Sequence, residues 1–118
     1  MKLEEFMMHQ TDVLVLSAGD TLFSEGDAGD SMYVLLSGQA DVMLRGKLVE
    51  TLTSGSIVGE LALIDDAPRS ASVVAREDCN LIAINAARFR TLTRENPDFA
   101  LHVMRAMADR LRNVGKLL

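Results

Sequence analysis

The interpretation of this chain depends most on one stretch in its middle, Gly55-Ser56-Ile57-Val58-Gly59-Glu60-Leu61-Ala62-Leu63-Ile64-Asp65-Asp66-Ala67-Pro68-Arg69-Ser70-Ala71-Ser72-Val73. Gly59 permits a positive φ or a close approach of the backbone to another group. The four residues that follow can form a short helical turn. The N-terminus of such a turn presents free N–H groups and the positive end of a dipole, which suits an anion.

An arginine follows nine positions after Glu60, between Pro68 and a strand that begins near Ala71. Proline restricts the loop and so limits where Arg69 can point. The planar guanidinium suits two oxygens of one phosphate, whereas a carboxylate suits a sugar hydroxyl. The stretch therefore predicts a phosphate site with one carboxylate beside it. The residues alone leave a second interpretation open, a salt bridge between Glu60 and Arg69 across the loop.

Outward from this stretch, the first 90 residues read as short strands separated by turns. The apolar or alternating runs recur every 8–12 residues or so, which predicts seven or eight strands in an all-β barrel, sandwich or jelly roll. The runs are 13–16, 21–23, 32–36, 40–44, 48–52, 71–75 and 80–84. Arg45-Gly46-Lys47 reads as the turn of a hairpin.

Both ends of the chain read as helices. Leu3, Phe6 and Met7 recur at helical spacing, and a second helix is expected from 85 or 86 toward 95. Asn96 and Pro97 then fit the cap and first residue of a closing helix. That helix carries a heptad-like apolar stripe, which predicts either packing on its own barrel or the seam of a dimer. The stripe consists of Leu101, Met104, Ala108, Leu111, Gly115 and Leu118.

Composition narrows the class of protein. The 118 residues are 48% hydrophobic and 25% charged, which is the globular average for a chain of one-domain length. No apolar run approaches the roughly 18 residues of a membrane span, and the first residues do not predict a secretory signal. The net charge of −5 disfavours nucleic acid. One cysteine, Cys79, fits a reducing cytoplasm, and with His9 and His102 it leaves little for a metal site.

The order and spacing of the central residues closely resemble the phosphate-binding cassette of the cyclic nucleotide-binding domain family. This family occurs in catabolite-activator-type regulators, in regulatory subunits of cyclic-nucleotide-dependent kinases and in gated channels. The matching residues are Gly59-Glu60-Leu61-Ala62-Leu63, a loop over 64–68, and Arg69-Ser70-Ala71. Upstream, the stretch 25–30 with Tyr33 and Gly38 resembles the glycine-bounded turn segment of the same family.

The resemblance implies a mainly β fold with flanking helices. We expect an eight-stranded antiparallel jelly-roll barrel with an N-terminal helix and C-terminal helices. A single domain would span 1–118, with strands over about 12–85 and closing helices over about 86–117.

The resemblance also implies roles for individual residues. Arg69 would pair with the phosphate oxygens of a cyclic nucleotide, and Glu60 would accept a hydrogen bond from the ribose 2′-hydroxyl. Backbone N–H groups of Ala62 and Ser70 would complete the phosphate site, and Gly59 would allow the cassette to turn beside the sugar. The Ser70 hydroxyl does not decide between adenine and guanine. The expected ligand-binding residues are Gly59, Glu60, Leu61, Ala62, Arg69, Ser70 and Ala71.

The closing helix departs from the pattern of the bacterial transcription factors. The positions where that branch carries base-contacting hydroxyls fall on Val114 and Gly115. We therefore expect the base to be bound by apolar contacts, by a residue such as Arg112 or Asn113, or through a different register of the helix. Asp65, with its neighbour on the loop, is expected to be solvated.

These features predict a cytoplasmic sensor of cyclic AMP or cyclic GMP that relays binding through its C-terminal helices. Its partners would be the nucleotide and either a second copy, bound through the C-terminal helix, or an effector protein. We expect no catalytic residue, no metal, no cofactor besides the nucleotide ligand, no membrane and no direct DNA binding. Three alternatives remain: an interaction module that keeps the fold without binding nucleotide, a site for another phosphate ligand, and a metal enzyme of the related cupin fold.

Overall fold

The computed structural model describes residues 2–7 and 12–117, with side chains described as far as Asn113. The helices are α1 (Leu3–Met7), α2 (Leu61–Ile64), α3 (Ala86–Glu95) and α4 (Pro97–Leu117). The strands are β1 (Val13–Leu16), β2 (Thr21–Phe23), β3 (Ser31–Ser37), β4 (Ala40–Leu44), β5 (Lys47–Leu52), β6 (Ile57–Val58), β7 (Ser72–Ala75) and β8 (Cys79–Asn85).

The strands form two four-stranded sheets, with orders β1-β8-β3-β6 and β2-β7-β4-β5. Every strand pair is antiparallel, which confirms the eight-stranded antiparallel jelly roll. Within the described residues the two sheets do not close into one continuous barrel. The sequence runs identified seven of the eight strands. The eighth, β6, has two residues, and it pairs with β3 through Tyr33 opposite Val58 and Val34 opposite Ile57.

The hairpin between β4 and β5 shows how local sequence sets this topology. Arg45 has φ 51° and Gly46 has φ 78°, so both central residues of the turn lie in the left-handed region. A two-residue turn of this kind matches the twist of the flanking strands. The predicted turn is confirmed, and it places β5 at the edge of its sheet.

Two apolar clusters hold the elements together. One lies between the helices and the sheet β1-β8-β3-β6, where Leu3, Met7 and Phe99 are fully buried. The other is built from β3, β4, β5, β7 and β8, and includes Leu35 and Val73. Burial of such side chains contributes roughly 25 cal/mol per Å² of apolar surface. The helices therefore pack on the first sheet, and the second sheet keeps one face for a cavity.

The closing helices begin where the sequence predicts. The Asn85 side chain caps α3 by accepting a hydrogen bond from the Arg88 N–H at 2.9 Å, and α4 begins at Pro97. The face of α4 that packs on the body of the domain carries Phe99 and Val103. Neither α4 nor any other described helix is long and apolar enough to cross a membrane.

The apolar stripe of α4 lies on a different face. Leu101, Met104 and Leu111 are 40%, 57% and 74% exposed. The interpretation that these residues pack on their own barrel is therefore wrong. The helix turns Phe99 and Val103 inward, and these lie out of phase with the heptad positions. Gly115 and Leu118 fall outside the described side chains.

Candidate functional site

A cavity of about 340 Å³ lies between the sheet β2-β7-β4-β5, the stretch 58–71 and the inner face of α4. Its apolar walls come from side chains of β2, β4, β5 and β7. All seven of the predicted ligand-binding residues line it, although their contacts with a ligand stay a prediction. They are Gly59, Glu60, Leu61, Ala62, Arg69, Ser70 and Ala71.

The short helix α2 forms directly behind Gly59, which has φ 81° and so uses the freedom that glycine has in the left-handed region. Glu60 is the N-cap of α2, and its carbonyl accepts from the N–H groups of Leu63 and Ile64. Its side chain makes no capping hydrogen bond. The carboxylate is therefore left for the cavity.

Arg69 is held by neutral groups. The residue is 6% exposed. Its Nη1 donates to the Gly59 carbonyl at 3.0 Å, and its Nη2 donates to the Ser31 carbonyl at 2.7 Å. Its Cζ lies 4.2 Å from the ring centre of Phe23 and 5.8 Å from that of Tyr33, within cation–π range. The Nε atom is buried and has no partner among the described residues.

Two glycines make room for this guanidinium. A Cβ at Gly29 would collide with Nε, Cζ and Nη2 of Arg69, and a Cβ at Gly59 would collide with Nη1. The backbone also joins the two segments. The Arg69 N–H donates to the Asp27 carbonyl, and the Gly26 N–H donates to the Arg69 carbonyl, both at 2.8 Å. The turn between β2 and β3 therefore positions the arginine.

Glu60 pairs with α4 and not with Arg69. Its Oε1 accepts from Nη1 of Arg110 at 2.6 Å, so the expected alternative of a bridge between Glu60 and Arg69 is wrong. Glu60 is 3% exposed. Its second oxygen, Oε2, is buried and has no partner among the described residues. A buried carboxylate oxygen in this state is costly unless something donates to it.

Arg110 joins α4 to the other two elements of the cavity wall. Besides Glu60, it donates from Nε to Oε2 of Glu50 on β5 at 2.9 Å and from Nη2 to the Ile57 carbonyl at 2.8 Å. Burial lowers the pKa of Arg110, but the charge of Glu60 and then the hydrogen bond and charge of Glu50 outweigh it, so the pKa is raised. Arg110 is therefore a fixed cation between two carboxylates.

Sequence reasoning missed Arg110 and Glu50. A signal for Arg110 exists, because it lies seven and eleven positions after Val103 and Phe99 and so shares their inward face. Of the candidates named for the base, Asn113 lines the cavity, whereas the exposed Arg112 pairs with Asp109.

The remaining sequence candidates lie elsewhere. The side chains at 114 and 115 fall outside the described residues. Asp65 is exposed and faces a separate shallow cleft, as does its neighbour on the loop. His9 is outside the described ranges, and within those ranges no cluster of histidine, cysteine or acidic side chains could hold a metal ion.

The arrangement suits a ligand with an anionic end and a hydroxyl beside it. Arg69 offers a positive charge that no described carboxylate neutralises, and Glu60, nine positions before it in the cassette, offers an acceptor without a partner among the described residues. Apolar strand residues form the rest of the wall, which suits a flat ring system.

Comparison with known proteins places the same residues in a family. The model of the cyclic nucleotide-binding domain matches residues 13–96. The cAMP-dependent protein kinase regulatory subunit of Aspergillus niger is 41% identical over 83 residues, which cover 69% of this chain and 20% of that protein. Human Rap guanine nucleotide exchange factor 3 is 41% identical over 80 residues, covering 66% of this chain and 9% of that protein.

A solved structure described as "A cyclic-GMP-dependent signalling pathway regulates bacterial phytopathogenesis" is 30% identical, with a TM-score of 0.78. The match covers 96% of this chain and 95% of that one. The chain spans a fifth or less of the length of the two curated relatives. With the family model matching most of its length and its cassette residues gathered on one cavity, this chain belongs to the cyclic nucleotide-binding domain family.

Proposed function

We propose that this domain binds cyclic AMP or cyclic GMP in the 340 Å³ cavity and reports the binding through α4. One observation carries the proposal. Two residues that line this cavity each carry a buried polar atom without a partner among the described residues, the donor Nε of Arg69 and the acceptor Oε2 of Glu60. A phosphate oxygen satisfies the first and a ribose hydroxyl satisfies the second. A ribose with its phosphate closed in a ring presents both groups close together.

Both nucleotides stay candidates. The curated relative from Aspergillus niger is named for cyclic AMP, and the solved structure is described by a cyclic-GMP-dependent pathway. In this chain, Ser70 and Asn113 are the uncharged polar side chains among the described residues that line the cavity. We expect Asn113, which lies in the last part of α4 and lines the cavity, to contact the base.

The route to α4 runs through Arg110. A ligand that engages Glu60 contacts the carboxylate to which Arg110 is bound, so it changes what α4 gains from its present position. Another face of α4 carries the exposed Leu101, Met104 and Leu111. We propose that this face, named here the outer stripe, contacts a second copy or an effector protein.

Thermal unfolding with each nucleotide tests the binding. A ligand at about 100 times its dissociation constant stabilises a folded protein by roughly 2.7 kcal/mol, which raises the midpoint by several degrees. Arg69→Ala should abolish this shift. It should also lower the midpoint without ligand, because Arg69 is buried and hydrogen-bonded to the carbonyls of Gly59 and Ser31.

Arg76→Ala is the matched control, since Arg76 is an exposed arginine paired with Asp41 away from the cavity. It should keep the full ligand shift. A shift in the wild type and in Arg76→Ala, with none in Arg69→Ala, supports the proposal. No shift with either nucleotide at millimolar concentration would instead favour the interaction module, in which the outer stripe carries the function without a ligand.

A further inference from the structure

We propose that Glu50 is a positioning residue: by holding Arg110, it keeps one oxygen of Glu60 free to accept a hydrogen bond from the ribose hydroxyl of the ligand. The inference rests on the proposed function and adds a determinant of sugar specificity to it. The observation behind it is that the half-buried Arg110 and the buried Glu60 make one hydrogen bond where two are available.

An arginine beside a buried carboxylate normally pairs with both oxygens. The guanidinium presents parallel N–H groups that match the two oxygens of a carboxylate. Because both oxygens of a buried carboxylate need donors, the two-bond arrangement is the expected one. Here only Nη1 of Arg110 reaches Glu60, at 2.6 Å from Oε1, and Oε2 has no partner among the described residues.

The other donors of Arg110 are engaged elsewhere. Nε donates to Oε2 of Glu50 at 2.9 Å, and Nη2 donates to the Ile57 carbonyl at 2.8 Å. Together these two contacts fix the guanidinium in an orientation that turns only Nη1 toward Glu60. The Ile57 contact is to the main chain, which a side-chain substitution does not remove. Glu50 is therefore the side chain that holds Arg110 in this orientation and away from a two-bond pair with Glu60.

The position of Glu50 suits this role. It lies on β5, an edge strand, and its side chain is 31% exposed, so the fold does not depend on it as it depends on a core residue. It lines the same cavity as Glu60 and Arg110. Without Glu50, Nε of Arg110 loses its acceptor and only the main-chain carbonyl of Ile57 still holds the guanidinium, which can then turn its Nη1–Nη2 edge toward both oxygens of Glu60. The acceptor offered to the ligand would then be consumed within the protein.

The test compares cyclic nucleotides with their 2′-deoxy analogues by titration calorimetry. For the wild type we expect the ribose form to bind about tenfold or more tightly than the deoxy form, the value of one hydrogen bond to a charged acceptor. In Glu50→Ala this ratio should fall below about threefold, because the affinity for the ribose form drops while that for the deoxy form stays. Glu50→Gln, whose amide oxygen still accepts from Nε, should keep the wild-type ratio.

Two controls separate positioning from other effects. Glu5→Ala removes one negative charge from α1, outside the cavity, and should leave the ratio unchanged. The midpoint of unfolding without ligand checks the fold, and Glu50→Thr, which suits an edge strand, takes the place of Glu50→Ala if the alanine variant does not fold.

The outcomes are distinct. An unchanged ratio in Glu50→Ala, or an equal loss of affinity for both sugars, would overturn the role of Glu50 while leaving the domain a nucleotide sensor. Loss of the ratio in Glu50→Gln as well would assign Glu50 to charge balance and not to positioning, which also overturns the inference. If the wild type binds neither sugar form, both the proposed function and this inference fall.

Discussion

Two arginines line the same cavity, and their surroundings are opposite in kind. Arg69 is held by two main-chain carbonyls and the face of Phe23, all of them uncharged. Arg110 is held by the carboxylates of Glu50 and Glu60. The charge of Arg110 is therefore balanced inside the protein, whereas that of Arg69 has no described counter-charge. The difference supports the proposal that the anion of a ligand binds to Arg69, and it indicates a structural role for Arg110.

Removing Arg110 should have the largest effect on stability. Arg110→Met leaves Glu60 as a buried carboxylate without a cation, and breaking a buried pair in this way costs about 3 kcal/mol or more. Urea unfolding would measure it. Arg112→Met is the control, because Arg112 is exposed and pairs only with Asp109, and it should change the free energy of unfolding by under about 0.5 kcal/mol. Equal losses in the two variants would contradict the structural role.

A methyl group beside Arg69 should weaken binding, because it displaces the guanidinium. In Gly29→Ala the new Cβ collides with the guanidinium, and Gly29 does not have a positive φ, so the backbone tolerates alanine. We expect the affinity for cyclic nucleotide to fall at least about tenfold, and the unfolding midpoint to fall as well, because the displaced guanidinium loses its hydrogen bonds to Gly59 and Ser31. Gly46→Ala should lower the midpoint and leave the affinity unchanged. Its φ of 78° makes alanine strained, at a cost of roughly 1 kcal/mol, but nothing lies near its Cβ and it does not line the cavity.

The aromatic support of Arg69 should have a smaller effect. Phe23→Leu keeps an apolar side chain but loses the ring that lies 4.2 Å from Cζ of Arg69, a contact worth about 0.5–1 kcal/mol. Calorimetry should therefore show an affinity about threefold lower. Tyr33→Phe retains its ring and should bind as the wild type does. Matching losses in both variants would mean that packing in general, and not the cation–π contact, supports the arginine.

The smallest expected effect is a change of stability with pH, and it comes from Cys79 and not from either arginine. Burial raises the pKa of the Cys79 thiol above its ordinary value of 9.0. The unfolded chain then loses the thiol proton at a lower pH than the folded chain does. The contribution of Cys79 to stability is therefore fully present below pH 9.0 and declines as the pH rises toward the folded pKa. Midpoints measured from about pH 8 to pH 10 should fall more steeply in the wild type than in Cys79→Ser. The pKa of Arg110 is raised, so this residue stays charged throughout the series. If the midpoints of the wild type and of Cys79→Ser fall in parallel, the alkaline loss of stability belongs to another group.

Much of the fold follows from the sequence because its signals are local. Alternation along β4, the turn at Arg45 and Gly46, and the capping Asn85 each act within a few residues. The strand β6 was not predicted, because two residues are too short to show a periodicity and the tertiary structure sets its pairing with β3. The prediction that the heptad stripe of α4 packs on its own barrel was wrong, because this amphipathic helix carries a second apolar face, and that face is the one that packs inward.

The site divides in the same way. Gly59, Glu60 and Arg69 sit within one short segment, so spacing alone brings them together. The partner of Glu60 could not be found by spacing, because Arg110 lies 50 positions away and reaches the cavity only through the docking of α4. In the sequence, Glu50 is one polar residue among others on an edge strand. Only its contact with Arg110 in the structure indicates a role.

The contact of Arg110 with Glu60 has a consequence for what binds the far side of α4. Linkage between two sites is reciprocal: a change in affinity that one ligand causes at a second site is returned by the same factor. If a nucleotide alters how α4 is held, a protein that captures the outer stripe must alter the affinity for the nucleotide equally. The concentration of cyclic nucleotide to which this domain responds would then be set in part by its partner.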